Sequence, residues 1–241
     1  MLHGPFGEDG TIQGMFDMAG VRYVGCGVLA SAVAMDKDIA KRLFGSAGIP
    51  TADYRVIHTA QDAAIAEELG YPLFVKPATM GSSLGVSRVN DPGALLGAIE
   101  TAFGFSDKVI VEEAVAGREI EVAVLEGPRT SVPGEILVEG DWYDFDAKYT
   151  DDTSEFVAPA DLAEAESAEV RAMAATAFTA LGCRGLARVD FLYEEGGRGF
   201  LINEVNTMPG FTPISGFPKM WMATGMSYGE LCDELVQLAL A

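Results

Sequence analysis

Two short stretches carry side chains whose types and spacing could hold a cation against an anionic substrate. Arg188-Val-Asp190 lies in a run of β-branched and aromatic residues, and Asn203-Glu204-Val-Asn206 lies in a second such run beyond Glu194-Glu-Gly-Gly-Arg-Gly199. A period of two puts Arg188 with Asp190, and Glu204 with Asn206, on common faces of two strands joined as a hairpin. Burying carboxylates among apolar neighbours is costly unless a cation compensates them. Asp190, Glu204 and Asn206 therefore read as an all-oxygen metal site, of the kind that suits Mg2+ or Mn2+ and leaves room for phosphates. The competing reading is a hairpin whose charges face water.

A second candidate lies upstream, where a strand over Pro72–Lys76 ends in lysine and is followed by Pro-Ala-Thr-Met-Gly81-Ser82-Ser83-Leu-Gly85. Small residues let backbone N–H groups approach a triphosphate closely, and Lys76 adds a point charge. The lysine precedes the glycines, so this is no Walker loop. Alone, Gly-Ser-Ser-x-Gly is weak evidence and is most often an ordinary turn. Lys37, taken by itself, is a solvated helix lysine.

The elements that must position these groups alternate along the chain. A helix is expected after Asp9, with Glu8 and Asp9 as its capping carboxylates. A short strand at Val21–Val24 and a turn at Gly25–Gly27 come next. Residues 31–48 read as one helix stopped by Gly48 and Pro50. A strand near Tyr54–Ile57, a helix over 60–69, the strand ending at Lys76, a helix after Asp91-Pro92 and a strand at Val109–Glu113 follow. Strands at Ile120–Leu125 and Ser131–Val138 precede an aromatic loop around Trp142 that should pack over something. An Ala-rich helix over 165–181 leads into the hairpin, and Ser227-Tyr-Gly-Glu230 is a capping box for the closing helix.

The 241 residues suffice for a good core in one to two domains, with 49% hydrophobic and 22% charged residues. Lys and Arg number 16 against 36 Asp and Glu, a formal charge of −20, which opposes binding to nucleic acid. No apolar run is long enough for a membrane span, and the N-terminus has no signal-peptide pattern, so a cytoplasmic protein is expected. The 3 cysteines are far apart and the 2 histidines too few for a histidine metal site or a Ser-His-Asp triad.

Arg188-Val-Asp190 with Asn203-Glu204-Val-Asn206-Thr-Met-Pro-Gly210 resembles the metal-site region of the ATP-grasp ligases, and within them of the D-alanine:D-alanine ligase family. The opening His3-Gly-Pro-Phe-Gly7-Glu8-Asp9-Gly10-Thr-Ile-Gln13-Gly14 resembles the end of that family's amino-terminal domain, so the chain reads as a fragment or a naturally shortened form. The resemblance implies an α/β (α+β) ATP-grasp fold, two lobes clasping ATP: residues 1–36 as a remnant of the substrate-binding domain, 37–116 as the central subdomain and 117–241 as the C-terminal subdomain with the metal site.

It also implies roles. Lys37, Lys76 and Lys148 would meet the nucleotide phosphates under a loop carrying Ser82 and Ser83, with Tyr149 hydrogen-bonded to Ser82. The segment Glu112-Glu113-Ala-Val115-Ala-Gly117-Arg-Glu119 resembles the hinge that holds adenosine, through backbone groups around Val115, the Glu112 side chain and Glu119 at the ribose. These acids are equally surface charge when read alone. Arg188 would face the oxyanion, and Ser215, with Gly210 in the same loop, the carboxylate of a second D-alanine. ATP, Mg2+ or Mn2+, and D-alanine are the implied ligands, and a homodimer the implied assembly. Tyr149 argues against relatives that make D-alanyl-D-lactate or D-alanyl-D-serine. The alternatives are an ATP- and metal-binding module without turnover, and a ligase for another amino acid, D-lactate or D-serine.

Overall fold

The structure, a computed structural model, describes residues 2–138 and 154–241. The chain opens with three helices, α1 (Thr11–Ala19), α2 (Val28–Met35) and α3 (Lys37–Ser46). The single helix expected over 31–48 is thus two. Asp36 divides it: its backbone is extended at φ −86° and ψ 99°, and its carboxylate accepts hydrogen bonds from the Asp38 and Ile39 N–H groups, which caps α3. The expected strand at residues 21–24 does not form. That segment pairs with no strand among the described residues and leaves Val21 exposed, and without a neighbour an extended segment has no ladder to join.

Two antiparallel sheets follow. The first holds β1 (Tyr54–Ile57), β2 (Leu73–Pro77), β3 (Ser87–Val89) and β4 (Val109–Glu113) in the order β1-β4-β2-β3. Between β1 and β2, the helix expected over residues 60–69 forms at Ala60–Leu69 as a 3-10 helix. Its apolar residues Ala60, Ala63, Ala66 and Leu69 recur every three positions, which matches three residues per turn. This segment and α4 (Pro92–Phe103) cover one face of the sheet, packing Ala66, Leu95 and Ile99 on Ile57, Leu73, Val75 and Val111. The pleat turns Phe74, Lys76, Ile110 and Glu112 to the other face.

The second sheet holds β5 (Arg118–Leu125), β6 (Arg129–Thr130), β7 (Gly134–Val138), β8 (Ser154–Val157), β9 (Leu186–Glu194) and β10 (Gly199–Asn206). Its order is β10-β9-β5-β7-β8, with β6 beside β5. Helix α5 (Glu164–Ala180) covers one face, burying Val170, Ala174 and Phe178 on Val122, Val189 and Phe191. Helices α6 (Gly216–Ala223) and α7 (Tyr228–Leu240) pack Phe217, Trp221 and Leu231 on Ala123, Leu125 and Leu186. Helix α3 belongs to this second lobe by packing, since Ala40 and Phe44 lie in the same core as α5. Its polar side nevertheless reaches the first lobe: the Lys108 Nζ donates to Asp36 at 2.8 and 2.7 Å and to Asp38 at 3.0 Å.

Asp36 therefore both caps a helix and ties two lobes. Asp36→Ala is expected to cost about 1–2 kcal/mol in urea denaturation, and Asp36→Asn, which keeps the cap and loses the charge, less. Equal losses would mean that the cap contributes nothing.

Candidate active site

The uncovered faces of the two sheets bound a continuous cleft. A cavity of about 390 Å3 lies between Phe74 and Lys76 of the first sheet and Glu119, Leu192, Asn203 and Glu204 of the second. It opens into one of about 1090 Å3 lined by Arg188, Asp190, Asn206, Gly210 and Ser215. Lys37, Gly81, Ser82, Glu119, Asn203 and Glu204 line both.

The hairpin of β9 and β10 brings its four polar groups onto one face through an irregularity that the spacing does not announce. Ile202 pairs with Phe191, yet Glu204 pairs with Asp190 and Asn206 with Arg188, so Asn203 is an extra residue in the ladder. Without that bulge Glu204 would stand opposite Val189 and point into the core. Across β5, Glu121 also pairs with Asp190. Three carboxylates, Glu121, Asp190 and Glu204, thus stand in a row over three neighbouring strands, an arrangement that is repulsive unless compensated.

Two cations compensate it in part. Arg188 donates from Nε and Nη2 to the two oxygens of Asp190, both at 2.7 Å, and its Nε lies 3.1 Å from Glu121 Oε1. Burial works against the guanidinium charge, but Asp190 and Glu121 outweigh it and hold the Arg188 pKa well above its usual value. Lys37 Nζ lies 3.4 Å from Glu204 Oε2 and donates to the Met80 carbonyl at 2.9 Å. Asn206 adds to this row a neutral oxygen that accepts from the Met208 N–H at 3.0 Å. A carboxylate oxygen that accepts one hydrogen bond keeps a second lone pair. The donor set therefore fits a hard divalent cation on Asp190, Glu204 and Asn206. Among the described residues no three acidic, histidine or cysteine side chains converge closely enough to do this alone, so Asn206 is needed to complete the set.

At the smaller cavity, Lys76 Nζ donates to Glu112 Oε2 at 2.5 Å, and Lys41 Nζ lies 2.9 Å from Glu112 Oε1. Glu112, expected to read an adenine edge, thus has both oxygens on lysines. Burial pushes its pKa up, but Lys41 and Lys76 outweigh burial and bring it down to about 2. Glu113 lines the same cavity, while its Oε1 accepts from the Asp53 N–H at 2.8 Å and pairs with Arg198 at the seam. Val115 and Glu119 line it too.

The loop after β2 carries Ser82 and Ser83 at φ 54° and 56°, both in the left-handed region. Gly85 fixes its far end. At φ 71° and with Phe105 Cδ2 only 2.6 Å from where a Cβ would lie, this position admits no larger residue. At the other end of the cleft, Ser215 Oγ accepts from the Thr212 N–H at 3.1 Å, and a Cβ on Gly210 would come within 3.0 Å of it. Lys148 and Tyr149 lie outside the described residues.

Glu8 does not cap α1. Its Oε1 accepts from the Gly4 N–H at 2.8 Å, it lines the larger cavity, and burial, with Glu204 adding to it, raises its pKa. Asp9 alone bonds the Thr11 and Phe6 N–H groups. Sequence reasoning also passed over Lys41 and Glu121. Lys41 stands four residues beyond Lys37, on the same helix face, and Glu121 two beyond Glu119, on the same strand face; those spacings were the available signal.

The model of the D-ala D-ala ligase C-terminus matches residues 43–237, and that of the D-ala D-ala ligase N-terminus matches residues 1–26. A D-alanine--D-alanine ligase of Arthrobacter sp. (strain FB24) is 51% identical over 256 residues, covering 100% of this chain and 67% of its own length. One of Streptomyces coelicolor is 51% identical, with 65% of its length covered by 100% of this chain. Among solved structures, the VanG D-Ala:D-Ser ligase from Enterococcus faecalis aligns with a TM-score of 0.89 and 39% identity over 99% of this chain and 71% of its own. The D-alanine-D-alanine ligase from Coxiella burnetii aligns at 0.88 and 35% over 100% of this chain and 66% of its own. The chain spans about two thirds of the length of these relatives.

Because the folded Glu112 carboxyl titrates at about 2, below its ordinary 4.5, the stability it contributes is present above pH 4.5 and lost as the pH falls from 4.5 toward 2. Glu112→Gln strands two lysines and is expected to cost about 3–5 kcal/mol at neutral pH. In urea titrations the gap between wild type and variant should close across that window; a gap independent of pH would refute the pairing.

Proposed function

We propose that this chain, which belongs to the D-alanine–D-alanine ligase family and has its ATP-grasp fold, joins two D-alanines with ATP to give the dipeptide used in peptidoglycan precursors. The γ-phosphoryl group of ATP passes to the carboxylate of one D-alanine, giving an acyl phosphate and ADP. The amine of the second attacks that carbonyl, the C–O bond to phosphate breaks, and phosphate and one proton leave. Residues 1–36 close a substrate-binding domain, and 37–116 and 117–241 are the two clasping lobes, with α3 of the first packed in the core of the second. A cytoplasmic location and a homodimer belong to the same reading. No helix of the described residues is long and apolar enough to cross a membrane.

The observation that carries the reading is the shared cleft: Arg188, Asp190, Glu204 and Asn206 line the same continuous space as Lys37, Lys76 and Ser82. Lys37 and Lys76 hold the phosphates of ATP, helped by backbone N–H groups of the loop at Ser82 and Ser83. Backbone groups at Val115 take the adenine edge and Glu119 the ribose, with Glu113 beside them, while Glu112 acts through Lys76. Asp190, Glu204 and Asn206 would hold Mg2+ or Mn2+, which when bound supplies charge compensation to phosphate oxygens. Arg188, held in a fixed direction by Asp190, meets the oxyanion of the tetrahedral intermediate, and such preorganisation lowers the barrier because no dipoles reorient during reaction. Ser215 and the loop at Gly210 take the carboxylate of the second D-alanine. The roles of Lys148 at the γ-phosphate and Tyr149 toward Ser82 rest on the sequence.

The likeness to a D-Ala:D-Ser ligase sustains a narrower second reading, in which the second substrate is D-serine. The same cleft also suits another reading, an ATP- and metal-binding module without turnover.

Phosphate release from ATP with Mg2+ is expected to rise when D-alanine is added, and D-serine and D-lactate should compete weakly. Release that ignores D-alanine in a chain that binds ATP supports the binding module instead. Glu204→Gln should lower D-alanine-dependent release by roughly a thousandfold, the scale of removing one charge-stabilising group; unchanged release would remove Glu204 from the metal set.

A further inference from the structure

Lys41 is a buried cation for which the reaction above has no use. Its side chain is 2% exposed and lines neither cavity. Nζ lies 2.9 Å from Glu112 Oε1 and 5.4 Å from the centroid of the Tyr54 ring, while the other Glu112 oxygen accepts from Lys76 at 2.5 Å. Ammonium groups are rarely taken out of water this completely, and the loss of hydration must be offset by a fixed partner.

The charges around the smaller cavity show what that partner does. Among the described residues it is lined by Glu112, Glu113, Glu119 and Glu204 and by Lys37, Lys76 and Arg88, so acids stand beside the cations where a polyphosphate would have to sit. One of the cations, Lys76, is the residue Glu112 grips. Paired one to one with Glu112, the Lys76 ammonium would present the pocket with a neutral pair. Lys41 approaches Glu112 from behind, out of the pocket, and turns that pair into a cluster with one positive charge in excess.

We propose that Lys41 is a positioning residue for nucleotide phosphates: by engaging Glu112 from the side away from the cavity, it leaves the Lys76 ammonium both fixed in direction and electrostatically available to an anion. The inference rests on the nucleotide reading of this cleft. Lys41 rides on α3, which packs in the core of the second lobe, whereas Glu112 and Lys76 belong to the first sheet. The same contact therefore sets the charge of the phosphate wall only when the two lobes are together.

Titration calorimetry of ATP and of adenosine, each with Mg2+, tests this on wild type, Lys41→Met, Lys41→Arg and the double variant Lys41→Met with Glu112→Gln. Lys41→Met should weaken ATP by about tenfold or more, the scale of one charge at short range in a partly buried site, and leave adenosine unchanged. Lys41→Arg should bind ATP nearly as wild type does. The double variant removes the grip on Lys76 along with its counter-charge and should recover ATP binding relative to Lys41→Met. Parallel loss of ATP and adenosine, or no loss of ATP, overturns the proposal. If Lys41→Met does not fold by thermal unfolding, the double variant decides: ATP bound supports the proposal, and adenosine bound without ATP overturns it. A wild type that binds neither overturns the nucleotide reading itself, a separate failure.

Discussion

Glu112 lies between two lysines at the seam of two lobes, almost out of contact with water, and most of the cleft depends on that arrangement. A lone carboxylate there would be forced neutral, and either lysine alone would leave a buried charge without a partner. The trio is tolerable only complete. It draws on α3, β2 and β4, so the three elements are held to one relative placement by electrostatics as well as by packing. The ion pair of Asp36 with Lys108, and that of Glu113 with Arg198, lie along the same seam and act in the same sense.

A chain with a formal charge of −20 has to gather its cations if it is to receive a phosphate, and the fold does so with few residues. Lys37, Lys76 and Arg188 come from a helix start and two strands of different sheets, each turned to the cleft because the alternate positions of its strand or helix are committed to a core. Position in the pleat does what net composition opposes. The carboxylate row of Glu121, Asp190 and Glu204 is the counterpart: repulsive by itself, it is held in place by apolar neighbours that pack behind it. Arg188 and Lys37 relieve that repulsion from within the cleft.

The strands around these residues were legible because period two and β-branched content are local signals, and β1, β2, β4, β9 and β10 fall where they were expected. The pairing of the hairpin faces was legible only by accident. Simple alternation through Gly199 to Asn206 would have set Glu204 against Val189; the extra residue at Asn203 reverses that, and no local composition marks it. The helix at 31–48 was misjudged because Asp36 was weighed as an interior residue, although Asp is among the strongest helix starters. The strand at 21–24 was misjudged because propensity does not say whether a neighbour is present. Glu112 is assigned to an adenine edge by resemblance, or to surface charge when read alone, because its lysine partners lie 71 and 36 positions away in the chain, beyond any windowed pattern.

Serine at 82 and again at 83 adopts a backbone that glycine adopts freely. Each such residue costs roughly 1–2 kcal/mol relative to its relaxed form. Two in succession load that cost onto a loop whose far end is closed by Gly85 against Phe105. Glycine at both positions would settle the chain and remove the hydroxyls. The sequence keeps the hydroxyls, and the loop keeps the backbone cost that comes with them.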